Sequence, residues 1–176
     1  PRAIRTRTRL MSDLAKYIEI RPMSFDPHAI LGFLDALDKT QSSYHKEEGR
    51  HKVKTDYKQS NANTAYVNYF LQNILSNFKK DILKFWNVSS FGIHDGWFQQ
   101  YEKGDFHGWH THPGCNLSGI YYIELPDSNM ATQFKTFSTD IKEGEIIIFP
   151  SYLKHSSPLF NEGRKTILSF NLSLES

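Results

Sequence analysis

The stretch from residue 117 to residue 125 decides the fold, and it reads Leu-Ser-Gly-Ile-Tyr-Tyr-Ile-Glu-Leu. Its aromatic and β-branched residues favour a β-strand. Four similar short apolar runs lie before and after it, separated by Gly, Pro, Asn and Asp: Gly96–Tyr101, Gln133–Phe137, Glu145–Phe149 and Thr166–Leu174. Strands at such spacing predict a β-sandwich or a β-barrel in the second half of the chain.

The first half has a different pattern, which predicts helices. After a short β-like run from Lys16 to Ile20, Asp26-Pro27 supplies an N-cap and a proline at the first helical position. Apolar residues then recur at helical spacing up to Leu37, and a second helix is expected from about Asn63 to Phe85. The polar segment between them, Thr40 to Ser60, is interpreted either as a mobile lid or as a plain surface loop.

Two helices ahead of a barrel would cover one sheet, which predicts an α+β arrangement. With 176 residues, the chain is expected to form a single domain from 1 to 176. Residues 1–90 would be mostly helical support, and residues 91–176 would form the β core.

Composition excludes several classes of partner. The net charge of +2 and the lack of a basic stripe on any one element argue against nucleic acid. No apolar run approaches the length of a membrane span. The single cysteine, Cys115, excludes an intrachain disulfide and fits a reducing compartment, so we expect a cytoplasmic protein. A homodimer is left open.

Histidines in the strand half indicate a metal site. On a strand, side chains two residues apart point to the same face, so His110 and His112 can converge on one ion. His155 follows a strongly predicted strand and is the expected third ligand. Imidazole suits Fe, Zn, Cu and Ni.

Ordered motifs lie between about Trp97 and Leu172: Tyr101–Gly104, His110-Thr-His112, Leu117–Tyr122, Glu143–Ser151 and Lys165–Leu172. Together they resemble those of the prolyl-hydroxylase-like Fe(II)- and 2-oxoglutarate-dependent oxygenases, and the His-x-His form is similar to a small bacterial and phage group of them. Tyr101-Glu-Lys-Gly104 leading to His110-Thr-His112 resembles the family's Tyr-x-x-Gly and metal-binding segment. The strand Leu117–Tyr122 looks like the second core strand, Glu143–Ser151 with His155 looks like the strand that delivers the distal histidine, and Lys165–Leu172 looks like the last core strand. The resemblance implies a double-stranded β-helix (jelly roll, cupin-like) with N-terminal helices packed on one sheet.

One position departs from that family. The common iron-binding triad is two His and one carboxylate, and His112 occupies the carboxylate position. Three neutral ligands leave Fe(II) more Lewis-acidic, which leaves the use of 2-oxoglutarate open. Asp105 is an alternative carboxylate, but its spacing from the two histidines is poorer.

The resemblance also implies a cation, at the start of the last core strand, for the distal carboxylate of 2-oxoglutarate. Arg164 and Lys165 both fall there. Strand alternation divides this segment into two faces. The polar face suits a wet pocket and carries Lys165, Ile167, Ser169 and Asn171. The apolar face suits packing against helices and carries Arg164, Thr166, Leu168, Phe170 and Leu172. We therefore favour Lys165, while a bulge after Gly163 would favour Arg164.

The remaining candidates surround the same pocket. By resemblance the Tyr122 hydroxyl reaches the distal carboxylate, and Tyr101 is the matching residue one strand earlier. Asn116 and Ser118 are expected to line the iron or the cosubstrate. His107 is expected at the mouth of the site and Trp109 in its wall, while His94, Asp95 and Trp97 are expected near the edge of the barrel. Cys115 is interpreted as a small buried residue, with a substrate contact as the alternative.

The resemblance thus implies an oxygenase that uses Fe(II), 2-oxoglutarate and O₂ to hydroxylate an amino acid, a peptidyl residue or a small metabolite. Two alternatives remain open. One is a three-His cupin-type dioxygenase that does not use 2-oxoglutarate, and the other is a non-catalytic metal-binding module with a closed metal site.

Overall fold

In the computed structural model, which describes residues 3–5, 16–22, 25–37, 41–60, 62 and 64–175, eleven strands pair into one antiparallel sheet. The strands are β1 (Ala3–Arg5), β2 (Ile18–Arg21), β3 (Ser43–Glu47), β4 (His51–Thr55), β5 (Ser90–Tyr101), β6 (Phe106–His110), β7 (Leu117–Glu124), β8 (Gln133–Phe134), β9 (Ile146–Pro150), β10 (His155–Ser157) and β11 (Lys165–Glu175). Their order in the sheet is β1-β2-β9-β7-β11-β5-β4-β6-β10-β8, with β3 paired to β4. The α+β class and the double-stranded β-helix are confirmed.

The helices lie where the sequence pattern predicts them. A 3-10 turn, Pro27–Ile30, precedes α1 (Leu31–Asp35), and the Asp26 side chain caps it by accepting from the His28 N–H at 2.9 Å. A longer helical run begins with α2 (Ala65–Tyr69), continues through a π turn and a 3-10 turn, and ends with α3 (Lys79–Trp86). The start predicted at Asn63 lies outside the described residues. No helix in the described part of the chain is both long and apolar enough to cross a bilayer.

Strand alternation divides the core into two layers, as predicted for the last strand. One face of the sheet packs against the helices and contributes Tyr121, Ile146, Ile148, Leu168, Phe170 and Leu172. The other face fills the barrel and contributes Tyr101, Ile120, Tyr122, Ile147, Phe149 and Ile167. The inner face therefore carries the candidate site, and the outer face carries the support.

The segment interpreted as a lid or loop is instead part of the sheet. Its start at Thr40 lies outside the described residues, but β3 and β4 form a hairpin whose second strand pairs with both β5 and β6. The Thr55 hydroxyl donates to the Phe98 carbonyl at 2.6 Å, and the Asp56 carboxylate accepts from the Phe98 N–H at 3.1 Å. The first 90 residues therefore contribute β1 to β4 to the sheet in addition to the helices.

Gly119 allows β7 and β11 to pair under the helices. It lies opposite Phe170, and a Cβ atom at Gly119 would come within 2.1 Å of the Phe170 ring, which is fully buried. We expect Gly119→Ala to destabilise the fold by about 1–3 kcal/mol, the usual cost of overpacking a core. The matched control is Gly92→Ala in β5, where nothing lies within 4 Å of the added atom. Urea unfolding of both variants checks this, and equal stabilities would contradict the packing argument.

Candidate metal site

Three histidines converge inside the barrel at the ends of two paired strands. His110 ends β6, His155 begins β10, and the two are directly opposite each other in the ladder. One potential ligand atom from each of His110, His112 and His155 lies within 4.8 Å of the others. In the part of the chain that the structure describes, no further Cys, Asp, Glu or His joins this group.

The position of His112 has a different cause from the one predicted. The strand ends at His110, so alternation along a strand does not orient His112. Its backbone N–H donates to the Ser151 carbonyl at 3.0 Å, which fixes the loop beside β9. The convergence of the two side chains is as expected, but it depends on this loop contact.

The Nδ1 atom of each of these histidines already has a partner. His110 Nδ1 lies 2.7 Å from the Gly108 carbonyl, and His155 Nδ1 lies 2.8 Å from the Leu153 carbonyl. His112 Nδ1 lies 2.8 Å from Asn171 Oδ1. Oxygen acceptors at Nδ1 fix the Nδ1–H tautomer and leave each Nε2 lone pair free for a metal.

Burial also keeps these rings neutral. It lowers the pKa of His110 to about 4 and that of His155 to about 3, and it lowers the pKa of His112 as well. Neutral imidazoles are the form that a metal needs. The orientation and the protonation state therefore both fit a divalent transition metal, with three protein ligands and an open side that a closed structural site would lack.

The alternative carboxylate ligand does not reach this cluster. Asp105 is fully buried, and its Oδ1 forms an ion pair with Lys52 Nζ at 2.6 Å. Its Oδ2 accepts from the Glu102 N–H at 3.0 Å, which closes the turn around Gly104. Asp105 thus holds the hairpin and the turn together, and the poorer alternative, in which it is a metal ligand, is wrong.

A small inner cavity of about 30 Å³ extends from the histidines into the barrel. Its polar lining includes Ser118, Ser157 and Ser169. Lys165 is fully buried behind it, donating from Nζ to the Met130 carbonyl at 2.8 Å and to the Ser157 hydroxyl. Burial lowers the pKa of Lys165 to about 7.

The two tyrosines lie around this lysine. The ring centroid of Tyr101 is 4.2 Å from Lys165 Nζ, and burial raises the pKa of its phenol. The Tyr122 hydroxyl accepts from the Thr132 N–H at 3.1 Å, and burial raises its pKa to about 12. Both phenols are therefore neutral hydrogen-bonding groups at the closed end of the barrel.

Arg164 and Asn116 lie away from the cavity, contrary to their prediction as cosubstrate contacts. Arg164 forms a bidentate ion pair with Glu124, with both N–O distances at 2.8 Å, because alternation puts it on the outer face. Asn116 is exposed, and its Oδ1 accepts from the Leu174 N–H at 2.8 Å.

The other predicted residues lie close to the histidines. Asn171 Oδ1 accepts from the Ser118 hydroxyl at 2.8 Å as well as from His112, and Ser118 Oγ lies 3.1 Å from His112 Nδ1. Ser169 donates to Gln99 Oε1 at 3.1 Å. Asn171 and Ser118 therefore orient His112.

A larger outer cavity of about 530 Å³ opens on the other side of the cluster. The predicted edge residues His94, Asp95 and Trp97 line it, as does His107, which was predicted at the mouth. Cys115 also lines it, although the sequence favoured a buried position for this residue. Trp109 does not: it is 43% exposed and packs against Lys135. One wall of the outer cavity was not predicted from the sequence. It is formed by the β3–β4 hairpin and the turn that follows it, and its residues are His45, His51, Val53, Thr55, Tyr57 and Lys58. Lys52 and Lys54 alternate with Val53 and Thr55, which indicates a strand with one buried face, and this pattern could have predicted the wall.

Comparisons with known proteins agree with this description. A family model described as "Putative 2OG-Fe(II) oxygenase" matches residues 95–139, which include His110 and His112. A search of curated proteins found no match.

Among solved structures, a prolyl-4-hydroxylase from Pseudomonas putida is 12% identical with a TM-score of 0.65, over 91% of this chain and 93% of that one. An oxidoreductase of the 2OG-Fe(II) oxygenase family from Burkholderia pseudomallei is 14% identical with a TM-score of 0.60, over 89% and 84%. HygX from Streptomyces hygroscopicus, solved with nickel, 2-oxoglutarate and hygromycin B, is 12% identical with a TM-score of 0.58, over 92% and 84%. At these identities the likeness shows a shared fold, and with the family match it confirms the resemblance seen in the sequence.

Proposed function

We propose that this relative of the 2OG-Fe(II) oxygenases is a non-haem iron, 2-oxoglutarate-dependent oxygenase that hydroxylates a C–H bond of an amino acid, a peptidyl residue or a small metabolite. The observation that carries the proposal is the position of the histidine cluster between two cavities. A small inner cavity leads to Lys165, and a cavity of about 530 Å³ opens outward. The outer cavity has room for a substrate, and the inner one would widen to admit a cosubstrate as Lys165 exchanges its contacts with Met130 and Ser157.

Each part of the site has a distinct task. The Nε2 atoms of His110, His112 and His155 would hold the metal. Their rings are oriented for this by hydrogen bonds from Nδ1 to the Gly108 carbonyl, the Leu153 carbonyl and the Asn171 side chain. When bound, Fe(II) supplies the oxidation, in which 2-oxoglutarate, O₂ and R–H are converted to succinate, CO₂ and R–OH.

Residues around the metal would orient the two organic molecules. The Lys165 ammonium would pair with the distal carboxylate of the oxo-acid after exchanging its contacts with Met130 and Ser157. The substrate would enter the outer cavity, where the Tyr57 and Trp97 rings pack with centroids 4.9 Å apart. The hairpin wall would help to exclude water from the reacting atoms.

The second candidate is a three-His dioxygenase that binds its substrate directly to the metal. Two observations favour it: His112 stands where the family usually has a carboxylate, and Lys165 already has protein partners. The two candidates differ in whether an oxo-acid chelates the metal.

Anaerobic titration of the Fe(II)-loaded protein with 2-oxoglutarate tests the proposal. We expect a visible metal-to-ligand charge-transfer band that saturates at one equivalent, because the keto and carboxylate oxygens chelate the iron together. Succinate, which lacks the keto group, is the control and should give no band. The absence of the band with fully loaded iron would contradict the proposal and favour the second candidate.

A further inference from the structure

A fourth histidine lies against the metal site in a different orientation from the other three. The ring of His107 stacks on that of His110, with centroids 4.0 Å apart and planes 13° apart. It lines both the inner and the outer cavity. The sequence predicts it at the mouth of the site, and its hydrogen bonds also argue against a fourth metal ligand.

Gln99 decides which nitrogen of His107 carries the proton. The Ser169 hydroxyl donates to Gln99 Oε1 at 3.1 Å, which turns the amide nitrogen of Gln99 toward His107 Nδ1, also at 3.1 Å. An amide NH₂ group can only donate, so His107 Nδ1 accepts and its proton lies on Nε2. Gln99 and Ser169 are both buried, which favours these bonds over bonds to water.

His107 therefore has the opposite tautomer to the three candidate ligands. Their Nδ1 atoms face oxygen acceptors, which leaves Nε2 unprotonated. A protonated Nε2 cannot bind a metal, but it can donate a hydrogen bond. Among the described residues, none accepts from His107 Nε2, so this donor is available to a molecule that enters the cavity.

We propose that Gln99 and Ser169 hold His107 as an Nε2–H donor to a carboxylate oxygen of the metal-bound ligand, which on the proposed function is 2-oxoglutarate. A divalent metal with three neutral imidazoles keeps its full charge and favours an anionic oxygen ligand. An N–H donor in a buried site stabilises such an anion and discriminates against a cation. His107 is in this sense a cosubstrate-binding residue, and Gln99 is its positioning residue.

Two variants test the proposal. Gln99→Glu replaces the donor by an acceptor of the same shape and should move the His107 proton to Nδ1. His107→Phe keeps the stacked ring and removes the N–H. The matched control is Gln100→Glu in the adjacent position of β5, because Gln100 is also buried but accepts from Lys54 outside both cavities.

The first measurement is the ¹⁵N chemical shifts of the His107 ring in the Zn(II)-loaded protein. We expect an unprotonated Nδ1 in the wild type and in Gln100→Glu, and a protonated Nδ1 in Gln99→Glu. The second is anaerobic calorimetry of 2-oxoglutarate with the Fe(II)-loaded proteins. Loss of a hydrogen bond to a charged group should weaken binding by about 10–100-fold in Gln99→Glu and His107→Phe, with Fe(II) affinity unchanged.

The outcomes separate this inference from the proposed function. If the wild type binds 2-oxoglutarate and both variants bind it equally well, His107 is not a donor to the cosubstrate and only this inference fails. A protonated Nδ1 in the wild type overturns it in the same way. If the wild type with bound Fe(II) does not bind 2-oxoglutarate, the proposed function fails, and the assignment of His107 to that ligand fails with it.

Discussion

Replacement of His155 by alanine is expected to abolish stable Fe(II) binding. His155 is nearly fully buried and lies opposite His110 in the ladder, so its imidazole has a fixed place in the group. Two neutral imidazoles would remain, and changes that only disturb the support of a ligand already cost 10–100-fold in metal affinity. We therefore expect an affinity loss of more than about 100-fold, measured as iron content after anaerobic loading and dialysis.

The control for this prediction is His94→Ala. His94 also lies on the rim of the outer cavity, but its side chain is about half exposed and does not belong to the converging group. Circular dichroism of both variants checks that the barrel is intact, since His155 also packs on Phe149 with ring centroids 4.9 Å apart. Unchanged iron content in a folded His155→Ala protein would mean that the ligand set is wrong.

The parts of the site that follow strand alternation were predictable from the sequence. Lys165, Ile167, Ser169 and Asn171 share the inner face of β11, as the period of two requires. No bulge directly after Gly163 exchanges the two faces of the strand. The irregularities in the pairing of β11 lie further along, between Thr166 and Ile167 and between Asn171 and Leu172. The choice of Lys165 over Arg164 as the inward-facing residue thus came from local geometry alone.

Features that depend on partners far away in the chain were not predictable in this way. The hairpin of β3 and β4 is polar. It is attached to the rest of the sheet by the ion pair between Lys52 and Asp105 and by hydrogen bonds to the backbone of Phe98. The tautomer of His107 depends on Ser169 through Gln99. In both cases the deciding contact joins residues on different strands, so no pattern within one segment contains it.

Replacement of Lys165 by methionine is expected to weaken 2-oxoglutarate binding by roughly 100-fold or more, while Fe(II) binding is unchanged. The ammonium is fully buried and donates to Ser157, which lines the inner cavity, and removal of one partner of a buried ion pair costs about 2–5 kcal/mol. Methionine keeps most of the volume, and Lys165 does not contact the candidate ligands, so the metal site should stay intact. Calorimetry under anaerobic conditions measures both affinities.

The matched control is Arg164→Met, at the neighbouring position on the opposite face. Its ion pair with Glu124 is partly exposed, so its loss should lower stability only slightly and leave 2-oxoglutarate affinity unchanged. If Arg164→Met weakened binding while Lys165→Met did not, the anchor would lie on the outer face and the cavity would be misassigned.

The charge of Lys165 provides an independent readout of the same contact. Burial lowers its pKa to about 7, so the free protein loses the ammonium as the pH rises through this value. A bound carboxylate favours the ammonium form of Lys165, so binding of 2-oxoglutarate above pH 7 takes up a proton. The affinity for 2-oxoglutarate should therefore fall by up to about tenfold per pH unit above pH 7. Below the pKa the affinity should be level. Lys165→Met should lack this dependence, and an identical pH profile in the wild type and Lys165→Met would show that another group binds the distal carboxylate.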